Sequence, residues 1–137
     1  LNGFRLKRCH VLSGWGRPLA ILEFTDGLVR IQVVEGPLDN LEAVRERLVE
    51  RGMDPEAVER TIEHMRPRGE RLEVEAVPGQ DAKVVWRYDA GPRTELWTAI
   101  NDVKVQVFDP VGAVPAVELV TWISSFELWH ETKKEGV

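Results

Sequence analysis

The chain has 137 residues, 43% hydrophobic and 30% charged, with a formal net charge of −5. That length and balance describe one ordinary globular domain with enough apolar mass for a core. The acidic balance excludes general nucleic-acid binding, which needs a basic face to displace counterions, and no apolar run is long enough to span a bilayer.

Strands are expected over residues 5–13 and 18–25, the second nearly continuous in apolar residues from Leu19 to Phe24 and therefore central in a sheet. Asp26-Gly27 predicts a two-residue type I′ hairpin turn, because those residue types tolerate positive φ best. The next strand, Leu28 to Glu35, alternates, with Val29, Ile31 and Val33 on one face and Arg30 and Gln32 on the other.

Gly36-Pro37 ends that strand, and a helical hairpin follows over about 37–70. Asp39 reads as an N-cap with Glu42 three residues on; Leu41, Val44 and Leu48 recur at helical spacing up to Gly52. Asp54 caps a second helix with Pro55 at its first position, and Val58, Ile62 and Met65 form its apolar stripe.

Alternation then returns at Leu72, Val74 and Ala76, and again from Val84 to Tyr88, Glu95 to Ile100 and Val103 to Val107. Pro78–Asp81, Ala90–Pro92 and Asn101-Asp102 are the turns between them. Pro115 opens a last helix with Ala116, Leu119, Val120 and Ile123 on its apolar face. Connections this short forbid parallel crossovers. The expected fold is α+β: a mostly antiparallel sheet of six to seven strands, with a helical hairpin and a C-terminal helix packed on it.

Chemistry-bearing residues are sparse. His10, His64 and His130 are spread along the chain without ligand spacing, so no metal is expected. Cys9 and His10 are strand neighbours facing opposite ways and cannot form a nucleophile–base pair. Ser13, Ser124 and Ser125 lack a nucleophile-elbow context, and no glycine loop fits a phosphate. The reading is therefore non-enzymatic and without cofactors. Tryptophan is the conspicuous residue type, with five in the chain. Trp15 lies in a glycine-flanked loop, Trp86 shares a strand face with Val84 and Tyr88, and Trp97 shares one with Glu95 and Ala99. Core filling accounts for most tryptophans in most proteins. If the strands of Trp86 and Trp97 pair, the two can stack. Trp15, Trp86 and Trp97 are then the candidate partner-binding residues.

Five short segments add a family expectation. Leu1-Asn2-Gly3-Phe4, Phe24-Thr25-Asp26-Gly27-Leu28, Val29 to Val33, Val111-Gly112-Ala113-Val114-Pro115 and the helix from Ala116 to Phe126 occur in that order. Together they resemble the C-terminal domain of the periplasmic RseB/MucB-type regulators of anti-sigma factors, in the LolA-like/RseB superfamily. The likeness covers roughly residues 1–36 and 95–128. The helical hairpin at about 37–70 is an insertion relative to that pattern, and Ala113 stands where the family usually has an acidic residue. The whole of residues 1–137 is thus expected to be a single α+β domain of this kind.

The resemblance implies a non-catalytic, periplasmic or otherwise exported regulatory module of envelope-stress signalling. Its partner would be a membrane-anchored anti-sigma factor or another envelope protein. A lipid ligand would act through an N-terminal domain absent from this sequence, and Leu1 in place of Met fits a piece of a longer exported precursor. The alternative is a stand-alone interaction module that docks through the helical hairpin. A stripe of Leu41, Val44 and Leu48 left exposed would favour docking; its burial would make it structural.

Overall fold

A computed structural model describes residues 3–14, 17–75 and 83–124. Its frame is a single antiparallel sheet of seven strands: β1 (Arg5–Gly14), β2 (Arg17–Thr25), β3 (Arg30–Pro37), β4 (Glu70–Val74), β5 (Lys83–Ala90), β6 (Arg93–Ile100) and β7 (Val103–Asp109). The spatial order is β1-β2-β3-β7-β6-β5-β4. Two meanders therefore meet at β3 and β7, where Val33 pairs with Val107. The helices α1 (Leu41–Glu50) and α2 (Pro55–Met65) connect β3 to β4, and α3 (Ala116–Ser124) follows β7. The expected α+β architecture and strand count are observed.

Period-two alternation gives the sheet two unlike faces. One carries Leu22, Ile31, Val33, Val85, Leu96, Val105 and Val107, all at 2% exposure or less. The apolar stripe of α3 covers it with Leu119, Val120 and Ile123, and the Trp122 ring meets the edge of Phe24 at 5.1 Å and 86°. Each such aliphatic side chain contributes about 1.5–3 kcal/mol on burial. Thr98 also points into this face, where its hydroxyl donates to the Val84 carbonyl at 2.7 Å.

The entry to α3 depends on Asp109, which is fully buried. Its two carboxylate oxygens accept the backbone N–H groups of Ala113 and Val114, each at 3.0 Å. Gly112, at φ +64, lies so close to the β5–β6 turn that a Cβ there would stand 2.4 Å from the Pro92 carbonyl oxygen. The Val111–Pro115 segment is thus pinned from below and from the side.

Two local expectations need correction. Asp26-Gly27 is not a two-residue type I′ turn, because Thr25 pairs with Arg30 and four residues bridge them. Asp26 Oδ1 accepts the N–H groups of Leu28 and Val29 at 2.8 and 3.0 Å, so a side chain replaces the backbone as turn-maker. Only Gly27 has positive φ there, and Val29 falls in the loop instead of the strand. Hydrogen bonds from Val29 and Leu28 hold the Asp26 carboxyl below its usual value of 3.8. The turn with positive φ at two successive residues is Asn101-Asp102, at 48° and 62°.

The second correction concerns α1. Its N-cap is Asn40, whose side chain accepts the Ala43 N–H at 3.2 Å, and not Asp39. Asp39 turns instead to Lys104 Nζ on β7, 3.4 Å away. Glu35, next in the alternation after Ile31 and Val33, falls on the apolar face and is 1% exposed. The caps of α2 are as expected: Asp54 accepts from Ala57 N–H at 3.3 Å, and Pro55 opens the helix. Alternating residues of β4 continue as expected to Val74; Ala76 and the turn at residues 78–81 lie outside the described residues.

Candidate functional site

The second face of β5, β6 and β7 carries a different population. Trp86 pairs directly with Trp97, and Trp97 pairs with Gln106, so one row across three strands reads Trp, Trp, Gln. The row beside it reads Tyr88, Glu95, Phe108 by the same pairings. All six side chains are only half-buried. They floor a cleft of about 270 Å³ whose wall is the segment from His64 to Arg68 at the end of α2.

Glycine lets that wall come close. Gly69, at φ +93, sits where a Cβ would lie 1.9 Å from the Arg87 carbonyl oxygen. No other residue allows the α2–β4 connection to rest on β5 at that distance. From the wall, Arg68 spans the cleft: its guanidinium stands 4.8 Å over the Tyr88 ring and donates to Glu95 Oε2 at 3.2 Å. Arg93 approaches the other oxygen of Glu95 at 3.5 Å. At the opposite end, Lys104 pairs with Asp39.

The cleft thus combines an aromatic floor with charges that already neutralise one another. Glu95 is set between two guanidinium groups, and Asp39 lies against Lys104. His64 lines the wall, exposed. Cys9 packs against the apolar core and His10 is exposed on β1. The Ser124 hydroxyl donates to the Thr121 carbonyl at 2.8 Å. Among the described residues no group of three His, Cys, Asp or Glu side chains is placed to hold a metal ion. None of their helices is long and apolar enough to cross a membrane.

Comparison of the chain with protein-family models, with curated proteins and with solved structures finds no match. What the site can do is therefore argued from its geometry.

Of the three tryptophans singled out by the sequence, Trp86 and Trp97 come together in the floor of the cleft. Trp15 lies outside the described residues, as do His130 and Ser125. The expected stacking of Trp86 on Trp97 is not realised: they are register partners, but among the described residues the aromatic ring contact is Phe24–Trp122. Sequence reasoning missed Phe108, Arg68 and Lys104 as site residues. Phe108 continues the alternation of Lys104 and Gln106, a signal that was present. The Arg68–Glu95 and Lys104–Asp39 pairs join residues 27 and 65 positions apart, and no local pattern announces them.

The hairpin stripe gives an intermediate answer. Leu41, Val44 and Leu48 are half-buried and no residue of α1 is fully buried, whereas α2 buries Val58 and Ile62 to 2% and 1% exposure. Arg45 ties the two helices together through Glu59 at 2.9 Å and also pairs with Glu42. The helix that carries the stripe, α1, lies against α2.

Proposed function

We propose that this chain is a non-catalytic binding module that holds a partner segment in the cleft floored by Trp86 and Trp97. The observation that carries the proposal is the direct register pairing of those residues on a half-buried sheet face, beside a wall. Aromatic side chains so placed offer a large contact area at small entropic cost, as interface hot spots do. The paired charges at the rim would orient the partner without demanding a strongly charged one.

The resemblance of the Val111–Pro115 turn, the Asp26-Gly27 loop and their flanking elements to RseB/MucB regulators supplies the biological setting. The module would belong to an exported, periplasmic protein whose partner is a membrane-anchored anti-sigma factor or a related envelope protein. Ligand control would act by differential affinity for bound and free states, with any lipid received by a further domain. Docking through the helical hairpin is the second reading; exposed Val49 and Met53 favour it, but its main stripe is half-buried.

The test is capture from an envelope fraction with the purified domain as bait, alongside a Trp86→Ala/Trp97→Ala variant. Recovery by the parent, but not the variant, of a single-pass membrane protein with a sigma-factor-binding cytoplasmic segment is the expected result. Undiminished capture by the variant together with loss on Val49→Asp would move the site to the hairpin. Recovery of cytoplasmic proteins alone would overturn the periplasmic assignment.

A further inference from the structure

The two edges of the sheet differ in length and charge. β4 is five residues long and carries Glu70 and Glu73 against a single cation, Arg71. β1 is ten residues long, carries Arg5, Lys7, Arg8 and His10, and has no acidic residue, in a chain of net charge −5. Those four side chains are all exposed. β2 pairs with one side of β1, and among the described residues no strand lies on the other side. Along the same strand Leu6, Val11 and Leu12 are 46%, 58% and 50% exposed.

Cations on an edge strand ordinarily prevent sheets from joining, and so do bulges; the β1–β2 register shifts between Leu6 and Arg8. The bulge, Arg5 and Lys7 lie in the lower half of the strand; Arg8, 4.0 Å from Glu23 of β2, and His10 lie in the upper half. From Arg8 to Gly14 the register is regular, so the upper half presents a straight backbone edge with Val11 and Leu12 bare. The cations act there as a filter, not a barrier. A second β1 laid antiparallel would bring like charges opposite one another, which is destabilising, whereas an acidic strand would meet opposite charges. We propose that β1 is a docking edge for an extended acidic segment of a partner protein, which joins the sheet as an eighth strand by backbone pairing.

The probe is a capped synthetic peptide of about eight residues alternating glutamate and valine, compared with its lysine–valine counterpart. Binding is read by isothermal titration and by amide hydrogen exchange of the intact chain. The glutamate peptide should bind at least about tenfold more tightly and slow exchange in Cys9–Leu12. N-methylation of alternate peptide amides should abolish binding, and Arg8→Glu with His10→Glu should reverse the preference. Equal binding of both peptides, or of neither, would overturn the proposal. So would peptide-independent protection of β1 that rises with protein concentration and is lost on Glu73→Lys, since the occupant would then be β4 of a second copy. Trp86→Ala/Trp97→Ala should leave peptide binding unchanged, which separates this edge from the cleft.

Discussion

Beneath α3 the sheet presents Val85, Leu96, Val105 and Val107, sealed from water; one residue along the same strands, the opposite face presents Trp86, Trp97, Lys104, Gln106 and Phe108, each partly open. The first face is closed by an apolar helix that follows β7 after a short turn. The second is overhung by a hairpin whose helices lie chiefly against each other. One sheet can therefore carry stability on one side and leave room for recognition on the other. The half-buried aromatics add less to folding than their size suggests and keep more surface for a partner.

The contrast can be broken most severely at Asp109. Replacing it with Ala leaves the Ala113 and Val114 N–H groups buried or partly buried without their acceptor. The expected cost is about 3–4 kcal/mol in denaturant unfolding, with α3 loosened from the sheet. A smaller loss would show that water or a neighbour satisfies the turn. The next test sets the faces side by side. Leu119→Ala should cost about 3 kcal/mol, as other deletions at fully buried sites do. Trp97→Ala should cost about 1–2 kcal/mol despite removing more atoms, because its side chain is only partly buried. Equal losses would mean that the aromatic face is core after all.

Two glycines sharpen the comparison further. Gly69→Ala combines positive φ with collision against the Arg87 backbone, so about 2 kcal/mol or more is expected, together with displacement of the Arg68 wall. Gly27→Ala at φ +101 meets nothing within 4 Å and should cost only about 1 kcal/mol of backbone strain. Thermal unfolding of both variants gives the order. Tyr88 and Trp fluorescence should change in the Gly69 variant alone.

The smallest effect is acid-dependent and lies in the β2–β3 loop. Because the folded Asp26 carboxyl is held below its usual 3.8, it contributes stability above that unfolded value. The contribution is lost as pH falls through the lower, folded value. NMR titration of Asp26 should give a midpoint under 3.8, and Asp26→Asn should flatten that part of the stability profile. A midpoint at or above 3.8 would mean that the Leu28 and Val29 hydrogen bonds do not hold in solution.

Much of this molecule was legible along the chain because the relevant physics is local. Alternation in β3, β5, β6 and β7 assigned side chains to faces, and the Asp54-Pro55 cap and Gly52 stop bounded the helices. The same alternation placed Trp86 with Tyr88 and Trp97 with Glu95 before any pairing was known. Local reasoning failed where two neighbours could do the same job. Asn40 took the cap from Asp39 once a lysine on β7 was within reach, and the Asp26 side chain displaced the expected backbone turn.

What the sequence by itself determined is the set of elements, their amphipathic faces and the antiparallel class, since short connections and residue periodicity allow little else. Only the tertiary structure decided that β3 meets β7, which sets the order of the sheet and makes β1 and β4 its edges. It alone set Trp86 opposite Trp97, stretched Arg68 across to Glu95 and buried Asp109 under the turn to α3. These are long-range contacts. Their register is fixed by packing the whole apolar face at once, and no window of the chain contains that information.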